Sequence, residues 1–133
     1  MLKVILDANF LFIPSQFKVD IFEELARILN QRFELVILSP ILDEIKRIAR
    51  EGSPKEQQQA RLALQLSKKC QVIYVEQEPN ETKDDVIVRM AREWKCPVAT
   101  NDQKLRKKLR DIGIPVIYLR QKNRLEVDGE PYF

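Results

Sequence analysis

The sequence predicts a three-layer α/β domain: a parallel sheet covered on both faces by helices. Three observations lead there. Five short apolar runs rich in branched residues punctuate the chain, apolar spacings of three and four fill the gaps, and start and stop residues mark the joints. The runs are residues 2–6, 34–38, 72–75, 97–100 and 115–119. Each is short and nearly continuous in apolar character, as a strand buried on both faces must be.

The helical patterns follow in order: Ile21, Leu25, Ile28 and Leu29; then Ile41, Ile45, Ile48 and Ala49; then Ala60, Leu62, Leu64 and Leu66. Ile87, Met90, Ala91 and Trp94 make a fourth stripe, and Leu105, Leu109 and Ile112 a fifth. Asp20 with Glu23, Ser39-Pro40, Ser53-Pro54 with Glu56, and Thr82 supply start signals, and Gly113 stands where the last helix should stop. Residues 42–69 contain no strand pattern, which predicts a helical hairpin inserted between the second and third strands.

A chain of 133 residues, 44% hydrophobic and 32% charged, has room for one domain with a real core. It contains no His, which excludes His-based triads, His general acids and His-containing metal sites. Any catalysis must therefore run on carboxylates. Cys70 and Cys96 have neither a CxxC spacing nor a third partner, so both are read as packing. Gly52, Gly113 and Gly129 are isolated and cannot form a glycine-rich phosphate loop. No stretch approaches a membrane span, and the first apolar run is broken at Asp7, so an intracellular, cytoplasmic protein with no membrane partner is expected.

The net charge of +3 is unevenly spread. Residues 103–124 carry Lys104, Arg106, Lys107, Lys108, Arg110, Arg120, Lys122 and Arg124 against the single acid Asp111, a local balance of +7 that leaves −4 for the remainder. A solvated helix face is one reading, and a phosphate-binding stripe is the other.

In open parallel sheets the crevice forms at the carboxyl ends of the strands. Asp7 and Asn9 follow the first predicted strand, and Ser39 the second, with Glu44 early in the next helix. Asp84 and Asp85 open a later helix, and Thr100-Asn101-Asp102 ends the fourth strand. Each acid also has an ordinary helical explanation: Asp84 and Asp85 as first-turn carboxylates, with Asp85 completing a capping pattern with Thr82, Asp102 as a first-turn acid, and Glu44 as a solvated residue. Asp7 is hardest to explain that way, since it directly follows a buried strand. Convergence of four acidic segments on one edge favours a hard divalent cation, Mg²⁺ or Mn²⁺, held by oxygen ligands, and hence metal-assisted phosphodiester hydrolysis.

The residues resemble the PIN-domain nucleases. The likeness covers nearly the whole chain: Leu6-Asp7-Ala8-Asn9, Ser39-Pro40-Ile41-Leu42-Asp43-Glu44-Ile45, Asp84-Asp85-Val86-Ile87-Val88, and Ala99-Thr100-Asn101-Asp102. The resemblance implies a five-stranded parallel sheet and an Mg²⁺- or Mn²⁺-dependent endoribonuclease acting on single-stranded RNA. It implies Asp7, Glu44, Asp85 and Asp102 as the catalytic, metal-binding quartet, with Asn9, Ser39, Asp84, Thr100 and Asn101 in support. A homodimer is common in the family.

Within the family, the doubled Asp84-Asp85 and the long tail look more like the small-subunit ribosomal RNA-processing branch and its archaeal relatives, with pre-ribosomal RNA as substrate, than like the VapC toxins, which stop soon after the last strand. Residues 1–120 would be the nuclease domain and 121–133 a basic, aromatic tail. Asp128-Gly129 reads as a hairpin-turn signal in that tail. A VapC-like toxin and a non-catalytic RNA-binding scaffold are the alternatives. Two other aspartate-based classes fall away: a dehalogenase-type phosphatase needs an acid where Asn9 stands, and a receiver domain needs an Asp where Glu76 stands.

Overall fold

The computed structural model describes residues 1–129. The chain runs β1 (Leu2–Leu6), α1 (Ala8–Leu11), α2 (Ile13–Phe17), α3 (Ile21–Leu29), β2 (Phe33–Leu38), α4 (Ser39–Glu51) and α5 (Pro54–Ser67). It continues β3 (Gln71–Ile73), α6 (Lys83–Trp94), β4 (Val98–Ala99), α7 (Gln103–Asp111), β5 (Val116–Arg120) and β6 (Arg124–Asp128). All five apolar runs become strands, and residues 42–69 lie within the helical hairpin of α4 and α5.

The sheet has six strands in the order β3-β2-β1-β4-β5-β6. Pairings among the first five are parallel, and β6 runs antiparallel to β5. The expected five-stranded parallel sheet is thus corrected to a six-stranded mixed one, flanked by helices. Val4, Ile5, Leu6, Val36, Ile37, Leu38, Val98 and Ala99 are completely buried, so the core is centred on β1 and its two neighbours. From β1 the chain winds outward through β2 to β3, then crosses back to β4 on the other side of β1. The order reverses between β1 and β4, and a crevice opens at the carboxyl ends of those strands.

The sixth strand comes from the predicted tail. Its hairpin turn does not use Asp128-Gly129: it is built on Gln121 and Lys122, both left-handed with φ of 53° and 62°. Asp128 instead pairs with Val116, and Gly129 follows at φ +116°, where a Cβ would lie 2.5 Å from Nη1 of Arg110. The backbone of Leu125 is clamped from α3: its N–H donates to Oε1 of Glu24 at 2.9 Å, and its carbonyl accepts from Nη2 of Arg27 at 3.2 Å. Those two side chains satisfy, at Leu125, backbone groups that an edge strand would otherwise offer to another chain. Tyr132 and Phe133, the aromatic end of that tail, lie outside the described residues.

Most start signals act as read. Asp20 accepts from the N–H groups of Phe22 and Glu23, Ser53 and Glu56 form a reciprocal capping box, and Gly113 takes φ +81° just past α7. At α4 the cap position is Leu38 and Ser39 is the first helical residue. Helices α1 and α2 were not foreseen: Phe10, Leu11 and Ile13 are all buried, so these short helices lack the alternating polar face by which a sequence announces a helix. Among the described residues no helix is long and apolar enough to cross a membrane.

Candidate active site

Asp7 leaves β1 at the crevice. It caps α1, with Oδ1 accepting from the N–H of Ala8 at 2.8 Å, and its Oδ2 accepts from the hydroxyl of Thr100 at 2.7 Å and from Nδ2 of Asn9 at 3.2 Å. Both Asp7 and Thr100 are buried. Burial pushes the Asp7 carboxyl above the ordinary carboxylate range, opposed by the bonds from Thr100 and Ala8 and assisted by the charges of Asp84 and Asp102.

Asp102 leaves β4 next door and caps α7. Its Oδ1 accepts from the N–H groups of Lys104 and Leu105 at 2.8 and 3.2 Å, while its own N–H donates to the Thr100 hydroxyl at 3.0 Å. Cap and site residue are therefore the same residue, with Oδ2 left over. Asp84 comes from the first turn of α6. Its carboxyl is also raised, by burial first and then by the charge of Asp102, with Lys108 acting in the opposite direction. A cleft of about 380 Å³ is lined by Asp7, Asn9, Glu44, Lys83, Asp84 and Asp102.

Asp85 is absent from that lining. Its carboxylate accepts from the N–H of Thr82 at 2.9 Å while the Thr82 hydroxyl accepts from the Asp85 N–H at 3.1 Å, and those bonds hold its carboxyl below the ordinary range. The capping box fixes the helix register, and successive side chains on a helix point about 100° apart. Once Asp85 caps, Asp84 is the one turned to the cleft, which reverses the expected order of the pair.

Glu44 does line the cleft, but with its charge already matched. Arg47 reaches it at 2.6 Å, Lys83 Nζ bonds its other oxygen, and the two hold its carboxyl down at about 2, Arg47 contributing most. Lys83 is the cleft residue that sequence reasoning missed; its signal was a cation immediately before two acids.

The supporting residues divide. Asn9 accepts from the N–H of Asn101 at 3.0 Å, and Asn101 in turn accepts from the N–H of Leu119 at 2.9 Å, so amides tie together the carboxyl ends of β1, β4 and β5. Ser39 lies off the cleft: its hydroxyl donates to the carbonyl of Val75 at 3.3 Å and accepts from the Val75 N–H at 3.1 Å, tying the start of α4 to the segment after β3.

The basic segment is less free than its composition suggests. Arg106 and Arg110 both reach Asp128, at 2.7 and 3.4 Å, Lys107 reaches Asp111, and Arg120 and Arg124 share Glu126. Among the described residues Lys104, Lys108 and Lys122 have no ion-pair partner.

A divalent cation fits the donor chemistry of Asp7, Asp84 and Asp102: an all-oxygen set, two of whose members are destabilised as anions by burial and by the charges of neighbouring acids. Among the described residues no three or more acidic or cysteine side chains are gathered so as to hold a metal ion by themselves. That suits an ion that keeps several waters and takes one or two carboxylates plus substrate phosphate.

The sequence profile of the PIN-like domain family matches residues 4–122. Ribonuclease VapC4 of Methanocaldococcus jannaschii is 36% identical over 130 residues, spanning 97% of this chain and 98% of that protein. Ribonuclease VapC9 of Archaeoglobus fulgidus is 29% identical, spanning 93% and 87%. Among solved structures, the PIN domain endonuclease Utp24 superposes with a TM-score of 0.76 at 29% identity, covering 96% of this chain and 92% of that one. Because the VapC4 alignment takes in nearly all of this chain, the length of the tail does not separate the toxins from the ribosomal branch.

Proposed function

This chain belongs to the PIN-like domain family, and from that premise we propose that it is a divalent-metal-dependent endoribonuclease that hydrolyses phosphodiester bonds of single-stranded RNA. The observation that carries the reading is the convergence of Asp7, Asp84 and Asp102 on one cleft at the point where strand order reverses. One or two of these carboxylates would bind Mg²⁺ or Mn²⁺ directly and the rest through its waters, with Asp84 taking the place first given to Asp85. The ion, when bound, supplies Lewis-acid activation of water and neutralises charge building on the phosphodiester.

The chain's own groups prepare the site. Thr100, Asn9 and the Ala8 N–H fix the Asp7 carboxylate from both oxygens, and the α7 amides fix one oxygen of Asp102. Glu44, held by Arg47, keeps Lys83 at the cleft wall, where its ammonium can meet a substrate phosphate. Lys104 and Lys108 add positive charge along the approach.

Cleavage of single-stranded RNA by purified protein in Mg²⁺ or Mn²⁺, abolished by chelation and by Asp84→Asn, is the expected result. Binding without cleavage in either ion would favour the non-catalytic scaffold. Pre-ribosomal RNA is the substrate that the Asp84-Asp85 resemblance suggests. A VapC-like toxin role is the second reading, favoured by the two curated relatives of matching length. Growth arrest on induced expression, relieved by Asp84→Asn, supports the toxin role, and its absence the processing role.

A further inference from the structure

The order β1-β4-β5 places a second cavity beside the acidic cleft. It has a volume of about 460 Å³ and lies over the carboxyl ends of β4 and β5, and Thr100 and Asn101 in its wall immediately precede Asp102 of the cleft. Its chemistry is different in kind. Arg106, Arg120, Lys122, Tyr118, Asn101 and Gln103 are among its walls with Phe17 of α2, and among the described residues no carboxylate lines it.

Two of these groups are held in place. The guanidinium carbon of Arg106 lies 3.7 Å from the ring centroid of Tyr118, while its Nε donates to Oδ2 of Asp128 at 2.7 Å. The ion pair thus keeps a planar cation against an aromatic ring, with both still partly exposed. Asn101 is also oriented, because a backbone N–H donates to its Oδ1. That bond fixes which way the amide faces, and its amino group has no partner among the described residues. Lys122 stands exposed in the left-handed turn between β5 and β6.

We propose that this cavity receives an unpaired base of the RNA strand, the base of a nucleotide adjoining the phosphate at the acidic cleft. The inference rests on the ribonuclease reading and adds the substrate contact that makes the enzyme select single strands. A base stacks favourably on a guanidinium or an aromatic face whatever its identity. The Arg106–Tyr118 pair presents such a platform with little further ordering to do. Lys122, without an ion-pair partner among the described residues, meets the phosphate of the same nucleotide, and the amides of Asn101 and Gln103 face the base edge. In a duplex both faces of a base are covered by its neighbours, so only a base free to swing out of the stack can enter.

The test uses intact protein in EDTA, so that binding is read apart from cleavage. Probes are a fluorescent single-stranded RNA decamer and an abasic ribose-phosphate decamer of equal charge. The wild type is expected to bind the base-bearing strand about tenfold more tightly. Tyr118→Leu, and separately Arg106→Lys, which keeps a cation for Asp128, should bring that ratio towards one while abasic binding and Tm stay near wild type. A wild-type ratio of one overturns the proposal, as does a ratio unchanged in both variants. So does parallel loss of both affinities in both variants, which marks a loss of charge or fold. Metal-dependent cleavage with a ratio of one removes the base pocket and leaves the ribonuclease reading standing; base-dependent binding without cleavage in any divalent ion does the reverse.

Discussion

The hydroxyl of Thr100 donates to Oδ2 of Asp7 at 2.7 Å and accepts from the N–H of Asp102 at 3.0 Å, so one buried oxygen positions two of the cleft acids. Thr100→Val keeps the shape and removes the hydroxyl. Residues that orient ligating carboxylates are worth about 10- to 100-fold in metal affinity or activity, and a loss of that order is expected, with Thr100→Ser restoring most of it. Steady-state cleavage against Mg²⁺ concentration checks both variants.

Asp84→Asn should abolish divalent-dependent cleavage with little effect on melting. Asp85→Asn should do the opposite, weakening the cap of α6 and lowering Tm while the folded protein still cleaves. Equal loss of activity in both variants would mean that the cap does not set the register of the pair. Specific activity of the folded fraction and circular-dichroism melts of each variant decide it.

For Asp7→Asn the stability prediction has a definite sign. The folded carboxyl lies above its ordinary value of 3.8, so ionising it costs stability; the cost is absent below about 3.8 and is full once the pH has passed the raised value. The substitution removes the charge and keeps an oxygen for the Ala8 N–H. Metal-free Asp7→Asn should therefore melt no lower than wild type at pH 7, with any gain vanishing as the pH falls below that range, while cleavage drops by orders of magnitude. A lower melting temperature at pH 7 would show that the bonds to Thr100 and Asn9 outweigh the charge.

Lys104 and Lys108, without ion-pair partners among the described residues, should act on RNA through phosphate. Replacing both by Ala should weaken binding about equally across unrelated sequences and flatten its salt dependence. Arg110→Ala should instead lower Tm and leave the salt slope unchanged, because Arg110 is occupied by Asp128 and the carbonyl of Ile114. Binding titrations at several salt concentrations separate the two classes.

Glu24 holds β6 by accepting from the Leu125 N–H, and Arg27, followed by that bond, keeps its carboxyl below the ordinary value of 4.5. A depressed carboxyl contributes stability above that value and loses it as the pH falls through the folded one. Amide exchange at Leu125 should therefore accelerate more in acid than intrinsic chemistry requires. Glu24→Gln should remove that pH dependence; an unchanged acid response would assign it to another group.

Much of the fold and part of the site were legible in the sequence because they rest on local chemistry. Short apolar runs rich in branched residues and bounded by turn signals suit strands buried on both faces, and residues 2–6 and 34–38 became two of the three innermost strands. Ser53 with Glu56 and Thr82 with Asp85 form capping boxes because the partners are three residues apart, within reach of one helical turn. Asp7 and Asp102 were legible as crevice acids because Asp7 directly follows β1 and Asp102 stands three residues past the end of β4.

What the sequence could not decide was set by partners far along the chain. The sequence offered Asp85 to the cap of α6, but that the face carrying Asp84 meets the acids of β1 and β4 was decided by how α6 packs across the sheet. The destination of Arg106 and Arg110 depended on Asp128, whose own place depended on β6 folding back beside β5 through a turn of Gln121 and Lys122 that carries no glycine. Charge counted along a sequence is additive, but its availability to a ligand is whatever remains after tertiary neutralisation, and here the fold leaves lysines beside the acids and locks two arginines against the last strand.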